Sequence, residues 1–191
     1  MTGRLTGRAV LLLLLAGCAS SQSGALDVAT VGAGAFGAGQ DVDLGAATVA
    51  ANAFGDASRT YGRPAAGARA AAALEYMAGA SLVTPRWQGV SAATKEQLLA
   101  ARGELRRALA VRPDARSQQV VAGLLEAAAV LDGGGSDADA AAALDRSGAF
   151  TLPGAQELGT LSNLPYLRTA NLATQHAADE LQGNDTEFRH F

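Results

Sequence analysis

Residues 94–109 read TKEQLLAARGELRRAL and form the clearest helical pattern in the chain. Thr94 and Gln97 stand three residues apart, which is the spacing of a capping box and predicts that a helix begins there. The charged residues, among them Arg102 and Arg106, fall away from an apolar stripe with helical spacing. That stripe consists of Leu98, Ala101, Leu105, Ala108 and Leu109. The segment therefore predicts an amphipathic helix that packs on other elements through one face.

The same period recurs on both sides of this segment. Apolar stripes with helical spacing are found in residues 49–61, 70–77, 121–131 and 167–181. Pro113 is expected to open the helix that Gly133 ends, and Ser136 to cap a short helix reaching Ser147. Residues 150–163 have the composition of a turn. Because no alternating strand pattern is present, the sequence predicts an all-α array or bundle of about five or six helices.

Length and charge narrow the classes of protein further. The chain has 191 residues, one cysteine and a net charge of -3, with an isoelectric point near 5.3. These values suit a single domain and argue against nucleic acid as a partner. The longest apolar run, residues 9–16, is too short to cross about 30 Å of hydrocarbon as a helix. A polytopic membrane protein is therefore excluded.

The first residues have the organisation of an export signal. Arg4 and Arg8 are basic, and residues 9–15, AVLLLLL, form a short apolar segment. Ala16 and Gly17 follow as the small residues that a signal peptidase requires. The sequence therefore predicts that the protein is exported and that residues 1–17 are removed.

The residues at the predicted cleavage site, Leu15-Ala16-Gly17-Cys18, resemble the lipobox of bacterial lipoprotein precursors. The resemblance implies that Cys18 becomes the mature N-terminus and carries a diacylglycerol and an N-acyl chain such as palmitate. Ala19 stands where Asp favours retention in the inner membrane, so the resemblance implies the outer membrane, facing the periplasm. We expect no other cofactor. The alternative is an ordinary secretory signal followed by an incidental cysteine.

Residues 18–40 are rich in Ser, Gly and Ala, a composition that predicts a flexible tether. Within it, residues 32–37, GAGAFG, match the glycine spacing of a dinucleotide-binding turn. That turn requires a helix and a second strand behind it, and neither pattern follows. We therefore predict a helical domain over residues 41–183, preceded by the tether and followed by a tail at residues 184–191.

One stretch resembles the tetratricopeptide repeat over about a single repeat. The residues with the spacing of its second helix are Ala101, Leu105, Ala108 and Pro113. Gly89 and Gly123 fall where that repeat has its glycine, whereas Pro85 interrupts the helix expected before them. The alternative is an ordinary pair of amphipathic helices.

Arg86 and Trp87 are the residues predicted to contact a protein partner. They lie in a connection between predicted helices, and Arg and Trp are enriched at interaction hot spots. The alternative interpretation is a loop tryptophan that folds back into the core.

Three acidic or histidine clusters are candidates for chemistry. His176 and Asp179, with Glu180, share one helix face, whose alternative interpretation is a solvated polar face. Glu187 and His190 match the Glu-x-x-His of di-iron bundles, but no second copy is present. Three aspartates surround a triple glycine without the spacing of a calcium loop, and helix capping explains them more simply: Asp132, Asp137 and Asp139.

These observations favour a membrane-anchored lipoprotein of the cell envelope over an enzyme. Its helical domain is expected to be a binding, adaptor or envelope-structural module with a protein partner in the envelope. A metal-binding protein or enzyme using His176 and Asp179, or Glu187 and His190, is the first alternative. A carrier of an apolar ligand between alanine-lined helices is the second.

Overall fold

The computed structural model describes the backbone of residues 26–188 and the side chains of residues 26–184. This part of the chain is all-α, as predicted, and it contains seven α-helices where five or six were expected. They are α1 Val42–Gly55, α2 Pro64–Ala80, α3 Ala92–Ala108, α4 Ser117–Asp132, α5 Asp137–Ser147, α6 Gly154–Ser162 and α7 Arg168–Phe188. Short 3-10 turns at Ala57–Arg59 and Pro85–Trp87 precede α2 and α3.

Helix α2 lies at the centre of the bundle. It packs against α1, α3, α4 and α6, and residues 70–80 are all buried. Most of these residues are alanine, whose small side chain lets neighbouring helices approach closely. Larger anchors such as Leu74 and Met77 fill the remaining space. A helical segment that is almost entirely apolar is expected to be buried on every side, and residues 70–80 of α2 are.

Polar contacts between buried side chains and backbone show how α1 is oriented. Near its beginning, Asp43 accepts a hydrogen bond of 2.9 Å from the Tyr76 hydroxyl, close to the end of α2. Near the end of α1, the Phe54 carbonyl accepts a bond of 2.7 Å from Asn171, in the first turn of α7. Helix α1 is therefore antiparallel to both α2 and α7.

The helix boundaries test the predicted caps. Helix α3 begins three residues earlier than predicted, because the Ser91 hydroxyl accepts from the Thr94 N–H at 3.2 Å. Helix α5 has the predicted boundaries, with Ser136 and Asp139 forming a capping box and Gly148 ending the helix in the left-handed conformation. Helix α4 ends at Asp132 as predicted but begins at Ser117, after the Pro113 turn.

Three further predictions differ from the structure. Residues 154–162 were expected to be a turn and form α6, whose buried face includes Leu158 and Leu161. The last helix continues beyond Gly183 to Phe188, through most of the predicted tail. Residues 26–40 do not behave as a free tether, because Ala29 and Phe36 are 2% and 3% exposed and belong to the core. Burial of these apolar side chains outweighs the entropy of the small-residue segment.

Helices α2 and α6 approach so closely at Gly67 that we expect a Gly67→Ala variant to be destabilised. A Cβ at residue 67 would overlap the carbonyl oxygen of Leu161, so the two backbones would have to separate, at a cost of about 1–3 kcal/mol. Gly159→Ala on α6 is the matched control, because no atom of another group lies within 4 Å of its Cβ position. This control should instead gain about 0.5–1 kcal/mol of helix propensity. Urea unfolding measures both, and equal midpoints would contradict the close approach.

Candidate functional site

Several residues singled out in the sequence lie outside the described part of the chain. Cys18 and the predicted signal at residues 1–17 belong to this group, and so does His190. Glu187 lies on the last turn of α7, and its side chain is outside the described residues. The lipidation site and the Glu-x-x-His pair therefore stay predictions.

Arg86 and Trp87 differ in how far they are exposed to solvent. Trp87 is 0% exposed and offers no surface to a partner, so the alternative interpretation, a tryptophan packed into the core, describes it correctly. The Arg86 side chain is 22% exposed, and its Nε lies 3.4 Å from the Asp41 carboxylate that caps α1. Trp87 is buried because its indole has a large apolar area, and removing that area from water stabilises the fold more than leaving the ring exposed would.

The His176 cluster joins α7 to the beginning of α3. His176 Nδ1 lies 2.8 Å from Gln97 Oε1, and Asp179 is exposed. The Glu180 carboxylate accepts hydrogen bonds of 2.6 Å from both the Ser91 N–H and the Thr94 hydroxyl. Partial burial opposes ionisation of Glu180, but these hydrogen bonds outweigh it and lower the pKa of the carboxyl. Glu180 is thus committed to the N-terminal cap of α3.

The aspartates around the triple glycine are also engaged in structural contacts. Asp132 forms an ion pair with Arg69 of α2, and Asp139 belongs to the capping box of α5. Among the described residues, no group of three or more His, Cys, Asp and Glu side chains is arranged to hold a metal ion.

The most highly connected polar cluster was not predicted from the sequence. We call it the N-terminal clasp, and it consists of Asp27, Glu75 of α2, Arg106 of α3 and Ser117 of α4. Arg106 contacts both oxygens of Glu75, with Nη2 at 2.5 Å from Oε1 and Nε at 3.1 Å from Oε2. The Asp27 carboxylate accepts from Arg106 Nη2 at 3.1 Å and from the Ser117 N–H at 2.9 Å.

Hydrogen bonds and neighbouring charges favour the ionised forms of Asp27 and Arg106 in the clasp. The Glu75 side chain is 0% exposed, so its charge depends on Arg106 for compensation. Burial opposes ionisation of Asp27, but the hydrogen bonds from Ser117 and the charge of Arg106 outweigh it and lower the pKa of Asp27. The Arg106 guanidinium is likewise partly buried, and Glu75 and Asp27 more than compensate and raise its pKa.

The clasp fixes the chain that leads into the bundle from the predicted lipidation site. Asp27 bonds to Arg106 of α3 and Ser117 of α4, and Thr30 adds a hydrogen bond of 2.8 Å from its N–H to the Gln118 side chain. The contacting residues are distant in sequence, which is why helical spacing could not reveal them. The one signal available in the sequence was Glu75, the single charged residue in the apolar run of residues 70–80.

A shallow pocket lies where the α1–α2 and α6–α7 connections meet. It has a volume of about 60 Å³ and is lined by residues that include Phe54, Thr60 and Tyr166. Small-molecule sites usually have volumes of about 300–1,000 Å³, so this pocket suits a single side chain better than a carried ligand. Tyr166, which lines the pocket, and Tyr61, which follows the lining residue Thr60, are 74% and 72% exposed.

Comparisons with known proteins give this chain no family: no family model matches it, and neither a curated protein nor a solved structure is significantly similar to it. In the described part of the chain, no helix combines the length and apolarity needed to cross a bilayer.

Proposed function

We propose that the protein is a bacterial lipoprotein, held on a membrane of the cell envelope by lipid on Cys18, with its helical bundle as the functional module. The observation that carries the proposal is the register of the first eighteen residues. A basic segment, an apolar segment and Leu15-Ala16-Gly17-Cys18 follow one another in the order that lipoprotein processing requires. With Ala19 next to the cysteine, the outer membrane is the proposed destination.

The geometry of the N-terminal clasp supports this proposal. Asp27, its first member, lies only nine positions after Cys18, so the folded bundle begins close to the proposed anchor. The acyl chains contribute about 0.8 kcal/mol for each buried methylene, so two or three chains anchor a protein stably.

Replacing Cys18 tests the anchor. We expect the wild-type protein, expressed as the full chain in a bacterial host, to incorporate an alkyne-tagged fatty acid and to partition into detergent. Cys18→Ser should lose the tag, because only a thiol at this position accepts the diacylglycerol. Intact-mass spectrometry should show residues 1–17 removed from the wild-type chain alone.

A displaced cysteine is the matched control. The double variant Cys18→Ser with Ser20→Cys keeps one thiol but moves it two residues out of register with Leu15. We expect it to remain unlabelled. Labelling of this variant would indicate lipid attachment independent of the lipobox and would overturn the proposal.

We further propose that the bundle binds another protein of the envelope. The exposed rings of Tyr61 and Tyr166 support this role, because aromatic residues are enriched in protein interfaces. Mild crosslinking of the lipidated protein in membranes should then yield one stoichiometric companion. The companion should be lost when both tyrosines are changed to serine. Retention of the companion in that variant would show that the interface lies elsewhere on the bundle. The absence of any companion would refute the adaptor role.

A further inference from the structure

A small apolar patch surrounds the end of α2 at which the N-terminal segment enters the bundle. Its members, which we call the entry patch, are Leu26, Leu82 and Val83, with exposed fractions of 59%, 40% and 50%. Leu82 and Val83 follow the last turn of α2, where their N–H groups bond to the carbonyls of Gly79 and Ala80.

The close contacts at Gly79 place Leu26 at the same end of α2 as Leu82 and Val83. A Cβ at Gly79 would meet the Asp27 carbonyl oxygen at 2.9 Å and the Val28 Cα at 3.0 Å, so the N-terminal segment crosses α2 at this residue. The clasp then holds Asp27 by hydrogen bonds to Arg106 of α3 and Ser117 of α4. Leu26 is therefore fixed at the same end of the bundle as Leu82 and Val83.

The length of chain before Leu26 limits how far the entry patch can lie from the anchor. Only eight peptide units separate Leu26 from Cys18, and fully extended they would reach about 26–29 Å. Tyr61, at the opposite end of α2, lies farther away by roughly the length of that 17-residue helix, about 25 Å. A membrane that holds Cys18 is therefore reached by the entry patch with chain to spare, whereas the Tyr61 end would reach it only if those eight units were almost fully extended.

We propose that the entry patch docks on the lipid surface in which Cys18 is anchored, so that the C-terminal end of α2 faces the membrane. This inference rests on the lipoprotein proposal. Three aliphatic side chains are too few to bind a membrane on their own. The anchor makes their insertion an intramolecular event with a high effective concentration, which compensates for the small area.

Fluorescence quenching by lipids tests the orientation. The lipidated protein is reconstituted in vesicles of phosphatidylethanolamine and phosphatidylglycerol, where Cys18 carries lipid and leaves one introduced thiol to label. An environment-sensitive probe at Val83→Cys should be quenched by spin-labelled lipids and shifted to the blue. The same probe at Tyr61→Cys is the matched control and should remain unquenched. Equal quenching at both positions, or at neither, would overturn the docking.

A second variant separates docking from anchoring. Leu26→Ser with Leu82→Ser, carrying the probe at Val83→Cys, should lose the quenching yet still float with the vesicles, because its acyl chains are unchanged. Quenching that survives these substitutions would overturn the inference. Failure of the starting protein to float, with no lipid in its intact mass, would instead refute the lipoprotein proposal. If the probe at Val83→Cys became more shielded from water as the protein density on the vesicle rose, a second copy of the protein would be covering the patch. That result would also overturn docking on lipid.

Discussion

Arg106→Met is expected to lower the free energy of unfolding by about 3–5 kcal/mol, the usual cost of removing one partner of a buried ion pair. The reason is the environment of Glu75, whose side chain is 0% exposed and whose two oxygens both contact Arg106. Without the guanidinium, Glu75 keeps only the Ser117 hydroxyl, at 2.6 Å, and its charge is left uncompensated. Urea unfolding followed by circular dichroism measures the change.

Two controls make this prediction specific. Arg107→Met alters the next residue of α3, which is exposed, and should change the stability by less than about 0.5 kcal/mol. The double variant Arg106→Met with Glu75→Met removes both charges and should recover much of the loss, since an apolar pair can replace a buried ion pair. If the double variant were as unstable as the sum of two large single losses, the clasp would not act as a coupled pair.

The second large effect is expected at Glu157 on α6, where a carboxyl is buried without a partner. Glu157 is 0% exposed, and neither of its oxygens has a hydrogen-bond partner in the described part of the chain. The charged groups of the neighbouring helices are engaged elsewhere, since Asp145 accepts from the Gly154 N–H and Arg69 pairs with Asp132. Burial therefore raises the pKa of Glu157 to about 7 from its ordinary value of 4.5.

Glu157→Met should stabilise the protein, and the gain should depend on pH. Below the ordinary pKa, the carboxyl is protonated in both the folded and the unfolded states, so the folded state bears no ionisation penalty. The penalty develops as pH rises from 4.5 to about 7 and is complete above that value. The variant should then be more stable than the wild type by about 3–4 kcal/mol, because the pKa rises from 4.5 to about 7 and each pKa unit corresponds to about 1.4 kcal/mol.

Thermal and urea unfolding from about pH 4 to pH 8 measure this dependence. Glu96→Met on α3 replaces an exposed glutamate and is the matched control, with no comparable pH-dependent gain expected. A gain at Glu157 of the same size at every pH would show that apolar packing, rather than removal of the charge, stabilises the variant.

The local pattern of the sequence predicted the parts of the fold that depend on neighbouring residues. Helix α5 is an example, because its cap at Ser136 and its end at Ser147 depend on residues within a few positions of each other. The end of α4 at Gly133 is another. By contrast, α6 was missed, because its short sequence contains two glycines and lies between Pro153 and Pro165. Its close contact with α2 at Gly67 is made across the bundle.

The candidate site residues likewise show which properties follow from local sequence and which depend on packing. Trp87 was considered both as a partner contact and as a core residue, and only packing could decide between them. Glu180 was grouped with His176 by helical spacing, but its carboxylate instead completes the cap of α3 from α7. A periodic pattern indicates which side chains share a face and does not indicate what that face meets.

The sequence by itself determined the all-α class, because hydrophobic period and capping are local properties of the chain. It also supplied the prediction of a lipid anchor, since the lipobox is recognised as a linear motif. Only the tertiary structure decided that residues 26–40 belong to the folded domain. The clasp gathers Asp27, Glu75, Arg106 and Ser117 from four separate segments, and three helices must pack before those charges can compensate one another.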